Sequence, residues 1–234
     1  MSRHRLHLFK DKAPIKMNYD DFLVISGFLD PLEDQGSVLV EANRLYRIPS
    51  DNTERLCQLF FGERNQVLLT RKDVLRSRRG NVELFLLSVL FWGFPLNQRG
   101  RCARAFNNWD RLVAMTNQIR RHPEMSFQDY EGFFRAMDAM GGLGISTFSK
   151  IFYFLQASID GYPCLIMDNL VARGISRLEG EEFIQIHEAA DNGRHRYYAN
   201  YPRYLEAART LALMGGIPEH NIEYTLWLAG KKNR

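Results

Sequence analysis

Two stretches of the chain combine residue types that can do chemistry. In Met140-Gly141-Gly142-Leu143-Gly144-Ile145-Ser146, three glycines stand just ahead of an apolar helical pattern. Glycine permits positive φ and close backbone approach, and such a turn leaves several amides free at the start of the next helix. Those amides, at the positive end of the helix dipole, can hold a phosphate. Many helix pairs need a tight turn for packing alone, and that use stays open. The second stretch is Tyr162-Pro163-Cys164-Leu165-Ile166-Met167, an extended apolar run that delivers Asp168 to the mouth of a helix starting Asn169-Leu170-Val171. An aspartate in that place is also a favoured N-cap. The two uses are compatible, since one carboxylate oxygen can cap while the other faces a ligand.

Helices must position these groups. Apolar periodicity and capping residues predict helices over Tyr19–Phe28, Thr53–Phe61, Val82–Phe91, Trp109–Arg121, Phe127–Ala139, Thr147–Ala157, Arg203–Met214 and Asn221–Ala229. Ser126 stands as N-cap before the helix at Phe127, with Asp129 three residues on. Val38-Leu39-Val40 has a short extended look. Gly93, Pro95 and Gly100 break a buried helix, so Pro95–Arg101 reads as a connecting loop. The expectation is a mostly α chain, residues 1–234 as one domain, with two helical subdomains and a cleft between them. Residues 1–94 plus the C-terminal helices form one subdomain in this reading, and 95–174 the other.

Composition sets outer limits. The chain of 234 residues is 45% hydrophobic and 25% charged, the profile of a globular protein rather than a disordered or fibrous one. Leu84–Phe94, the longest apolar stretch, is about half of what a bilayer-spanning helix needs and reads as a buried helix, so no membrane span is expected. The N-terminus lacks an export signal, which points to the cytoplasm. Cys57, Cys102 and Cys164 are widely separated with no Cys-x-x-Cys pair, and read as buried thiols; no metal site is expected. Between Thr70 and Arg104, Arg71, Lys72, Arg76, Arg78, Arg79, Arg99, Arg101 and Arg104 face only Asp73 and Glu83. A phosphate-bearing partner suits that stretch, with a solvated helix face as the alternative.

The glycine turn and the aspartate together resemble the helix-hairpin-helix DNA glycosylase superfamily. Its hairpin has the form Leu-Pro-Gly-Val-Gly-x-Lys/Ser, followed about twenty residues later by an aspartate after an apolar run. Met140–Ser146 with Asp168 is similar to that pair over roughly Phe127–Gly174. Gly141 replaces the usual proline, Phe148 stands where a small residue is normal, and 22 residues separate Ser146 from Asp168. These departures are similar to a divergent bacterial branch related to 8-oxoguanine glycosylases, some of which look like anti-phage components.

The resemblance implies a DNA glycosylase acting as a monomer on double-stranded DNA that carries a modified base, oxidised or phage-hypermodified. Beyond a monovalent cation at the hairpin it implies no cofactor. Asp168 is then the carboxylate that stabilises the oxocarbenium-like transition state and activates water. Gly142, Gly144 and Ile145 are the hairpin's DNA contacts. Ser146 occupies the slot where lyases carry lysine, which implies a monofunctional, water-using enzyme; Lys150, one turn later on the same face, is the one substitute amine. A solvent-facing or phosphate-facing Lys150 is the alternative. Trp92, Phe94 and Trp109 are candidate walls of a pocket for an extruded base, with core packing as their alternative. Asn97, Gln98, Arg99 and Arg101 read as loop residues that meet DNA. Residues Arg194–Tyr204 mix basic and aromatic side chains that can grip phosphates or cover the core. A non-catalytic hairpin protein that only binds DNA is the second reading.

Overall fold

The computed structural model describes residues 16–46, 48–93, 98–140, 143–190 and 197–231. The elements in chain order are α1 (Tyr19–Phe28), α2 (Pro31–Asp34), β1 (Ser37–Glu41), α3 (Ala42–Leu45), α4 (Thr53–Phe61), β2 (Gln66–Thr70), α5 (Arg71–Ser77), α6 (Val82–Gly93), α7 (Gln98–Asn107), α8 (Trp109–Arg121), β3 (Glu124–Met125), α9 (Phe127–Asp138), α10 (Ile145–Leu155), β4 (Ser158–Ile159), β5 (Tyr162–Pro163), α11 (Asn169–Ile175), α12 (Ile184–Ala190), α13 (Tyr197–Gly215) and α14 (Glu219–Gly230). The chain is mostly helical, as its periodicity predicts. It forms two compact units, residues 30–166 and residues 1–29 with 167–234.

The unit of residues 30–166 is built around α6. That helix is apolar all round, and every side chain from Phe85 to Trp92 is buried, as expected of a helix surrounded by protein. Phe91 packs against Phe60, Phe61 and Phe106, and Trp92 stands edge-on to Phe154 of α10. The predicted extended stretch at Val38–Val40 is β1, paired antiparallel with β2 so that Val40 faces Val67 and Val38 faces Leu69. Strands β3, β4 and β5 form a small sheet, β3 parallel to β4 and β4 antiparallel to β5. It fixes the chain on entry to α9 and on exit from α10.

The other unit is organised on α14, whose residues Asn221–Leu226 are buried. Asn221 Nδ2 donates to the Ser26 carbonyl at 3.0 Å, and the Ser26 and Thr225 hydroxyls meet at 2.8 Å, so α1 is pinned to α14 through polar groups. The crossing of α11 and α14 is closer still. A Cβ on Gly174 would collide with the Leu226 carbonyl oxygen, and one on Gly230 with that of Leu170. Glycine is required at both positions because the backbones themselves touch.

Several boundaries differ from the sequence reading, most by one or two residues, and two differ by more. The loop expected over Pro95–Arg101 is cut short, because α7 begins at Gln98; a break at Gly93 and Pro95 ends one helix without forbidding the next from starting at once. Helix α13 begins at Tyr197 rather than Arg203 and carries Pro202 inside it. That proline lacks an N–H to continue the ladder, which is why it reads as a helix start.

Candidate functional site

The glycine turn lies between α9 and α10. A capping box opens α9: the Asp129 amide donates to Ser126 Oγ and the Ser126 amide to Asp129 Oδ2, each at 3.1 Å. The Ser126 hydroxyl and amide hold the Asp129 carboxyl below its ordinary range. At the far end of α9 the Met140 carbonyl accepts from Asn108 Nδ2 at 3.3 Å, which ties the turn to the junction of α7 and α8. Tyr130 of α9 lies 6.1 Å from Phe152 of α10, ring to ring.

Gly144 is the N-cap of α10 with φ −86° and ψ 179°. This is extended backbone open to any residue, so the expected positive φ is not what Gly144 supplies. Its contribution is the absence of a side chain at the helix mouth: no side chain caps α10, and the Gly144 carbonyl accepts from Thr147 at 2.8 Å and Phe148 at 3.3 Å. The amides of Ile145 and Ser146 precede the first helical acceptor, at the positive end of an 11-residue helix. Gly142 lies outside the described residues. Ile145 is buried, so its part in the turn is its amide.

Ser146 is half-buried, while Lys150 is only 3% exposed. The Lys150 ammonium donates to the Ser146 carbonyl at 2.9 Å and to Ser146 Oγ at 3.0 Å. The shared helical face is therefore real, and the solvent-facing alternative for Lys150 fails because the side chain folds back along α10 beneath α6. A Cβ on Gly93 would stand 2.8 Å from Lys150 Cδ, so the glycine that ends α6 makes the room for it. Thr147, in the same turn, buries a hydroxyl with no hydrogen-bond partner among the described residues. Periodicity marks Thr147 as part of a helix and carries no sign of this orphaned oxygen.

Asp168 ends the buried extended run Cys164–Met167 and caps α11. Its Oδ1 accepts from the Leu170 amide at 2.9 Å and the Val171 amide at 3.1 Å. The capping use is thus established. The side chain is half-buried. What holds α11 in place is its glycine crossing with α14.

The remaining predicted residues scatter. Trp109 is buried and its indole Nε1 donates to Glu83 Oε1 at 2.6 Å, while Trp92 sits in the core of the same unit. Arg55 also donates to Glu83 Oε1, at 2.8 Å, and this bond, with the one from Trp109, lowers the Glu83 pKa. Phe94 and Asn97 lie outside the described residues. Gln98, Arg99 and Arg101 are in α7 rather than in a loop. Of the basic and aromatic cluster, Arg194–Arg196 lie outside the described residues, and Tyr201 and Tyr204 are core residues. Arg71 is an exception to the phosphate-facing reading of its stretch: it is fully buried, its Nε donates to the Tyr153 hydroxyl at 3.1 Å, Nη1 donates to Gln35 Oε1 at 2.7 Å, and the guanidinium lies 4.4 Å from the Tyr153 ring centre.

Among the described residues no group of three or more His, Cys, Asp or Glu side chains gathers for a metal ion. No helix among the described residues is long and apolar enough to cross a membrane.

The family model described as "Putative 8-oxoguanine DNA glycosylase OGG-like protein" matches residues 40–227, a span that takes in both the glycine turn and Asp168. No curated protein matches, and no solved structure does.

Proposed function

Because the chain belongs to this OGG-like DNA glycosylase family, we propose that it is a monofunctional DNA N-glycosylase that removes a modified base and leaves an abasic site. The observation that carries the reading is the family match over a span holding both the amide-presenting start of α10 and a carboxylate fixed at the start of α11. The family description makes 8-oxoguanine the first base to test, with alkylated bases and hypermodified phage pyrimidines beside it.

In this reading the first amides of α10 receive a backbone phosphate and Asp168 serves the sugar. As the bond from C1′ to the base nitrogen breaks, positive charge grows on the ring, and the carboxylate stabilises it electrostatically. A water oxygen then bonds to C1′ and gives one proton to the Asp168 carboxylate; that same proton passes through solvent to the departing base nitrogen, which restores the carboxylate. The two amides on Oδ1 orient the carboxylate before the substrate arrives, so little reorganisation remains at the transition state. Ser146 has no route to an imine. Lys150, which donates from Nζ to the Ser146 carbonyl and hydroxyl, serves in this reading to hold the first turn of α10.

The test is incubation with duplexes bearing oxidised and alkylated bases and with hypermodified phage DNA, scoring alkali-labile abasic sites. Asp168→Asn is expected to lower excision by at least about two orders of magnitude, as loss of one preorganised electrostatic group commonly does, with DNA affinity retained. Near-normal turnover in a folded variant removes Asp168 from the mechanism. Binding without excision of any base by the unaltered protein supports the non-catalytic hairpin reading instead.

A further inference from the structure

The basic stretch that begins at Arg71 is sorted by the fold into residues that are used internally and residues that are not. Arg71 is buried against Tyr153 and Gln35. Lys72 is paired with Glu33, and Arg76 stands 4.0 Å from Asp73. Arg78 and Arg79 remain, in the turn from α5 into α6. That turn is joined by the end of α8: Arg120 Nη2 donates to the Gly80 carbonyl at 2.8 Å, and the exposed Arg121 is the next and last residue of that helix. The acids of the neighbouring turns are engaged elsewhere. Asp73 accepts from the Thr70 amide and hydroxyl, and Glu83 accepts from Arg55 and Trp109.

We propose that the surface where the C-terminal ends of α5 and α8 meet, formed by Arg78, Arg79, Arg120 and Arg121, is a second contact for the backbone of duplex DNA. It stands apart from the glycine turn. The Arg78–Gly80 turn leads into the first residues of α6, whereas Gly93 at the other end of that helix is what packs on Lys150. A 12-residue helix is about 18 Å long, several phosphates along a DNA strand.

Cations at helix C-termini also complement the helix dipole, and one or two of them need no ligand to explain them. Here two such ends converge, and Arg79 lies beyond the last residue of α5. Desolvation and the neighbouring Arg79 both lower the pKa of Arg78, so the surface holds like charges together at a cost that an anion would relieve. Guanidinium groups match phosphate oxygens in two-pronged geometry. A contact of this kind carries no base information; it would set register and orientation on the duplex.

The inference rests on the DNA reading above, and the two fail differently. The measurement is the salt dependence of binding to an undamaged duplex, by fluorescence anisotropy, for the unaltered chain, for Arg79→Gln with Arg121→Gln, and for Arg64→Gln with Arg111→Gln as a control of equal charge change elsewhere on the same unit. Arg78 and Arg120 are left in place because they are partly buried. The expected result is a slope of log affinity against log salt reduced by about two for the first pair, and affinity at about 0.15 M salt lowered roughly thirtyfold, with an unchanged melting temperature and little change in the control pair. An unchanged slope in the first pair, or an equal loss in both pairs, overturns the patch. Absence of salt-dependent binding by the unaltered chain overturns the DNA reading itself.

Discussion

At the residue scale the informative position is the lysine slot. Ser146 fills it, and Lys150, one helical turn on, reaches back to donate to the Ser146 hydroxyl. Its bonds to the Ser146 carbonyl and hydroxyl hold the Lys150 nitrogen along its own helix, whereas imine formation needs it at the sugar C1′. Borohydride added during turnover is therefore expected to trap no covalent protein–DNA adduct, with strand breaks appearing only after alkali. A strong adduct that disappears in Lys150→Ala would assign the nucleophile to Lys150 and end the monofunctional reading. Cys57 is the contrasting buried group: burial pushes its thiol up to about 11, which keeps it in the thiol form near neutrality.

At the element scale, the carboxylate is only as well placed as the helix it caps. Helix α11 has 7 residues, too few to be stable by itself, and it depends on the crossing where Gly174 and Gly230 bring its backbone against that of α14. Gly174→Ala puts a methyl group into the Leu226 carbonyl, so α11 must shift. The expectation is a loss of stability of about 2 kcal/mol or more, the range of steric overpacking in a tight interior, read by denaturant titration. Excision should fall further than the unfolded fraction explains, since the capping aspartate moves with its helix. Unchanged stability and turnover would show that the crossing is soft. The start of α10 differs, because Gly144 is in ordinary extended backbone and owes its value to the missing side chain.

At the scale of the whole molecule, the unit of residues 30–166 gathers α4, α6 and α8 on one carboxylate, Glu83, through Arg55 and Trp109. The hydrogen bond from Arg55, then that from Trp109, lowers the Glu83 pKa below its ordinary 4.5 in the folded state. The unfolded chain therefore binds a proton first as pH falls. The stabilisation is complete above the ordinary glutamate value and is lost as pH drops through the depressed folded value. Thermal melts from neutral pH to pH 3 should show an acid-side loss in the unaltered protein that is shallower in Glu83→Gln. An identical acid profile in that variant would show that other carboxylates govern the transition.

What the sequence determined by itself was local. Helix α1, α4 and α8 lie where apolar period and caps predict them, the Ser126–Asp129 box opens α9, and Asp168 caps α11 at the end of a buried run. Each of these follows from interactions among near neighbours, which spacing encodes directly. The tertiary structure alone decided which charges face outward. Arg71 and Arg79 read alike in a basic run, yet one is enclosed by Tyr153 and Gln35 and the other is exposed. Lys150 is hidden because Gly93, 57 residues earlier, leaves room for it, and Gly174 is indispensable because of Leu226, 52 residues later. Such partners are chosen by packing between elements distant in the chain, and no period or motif within either element carries that information.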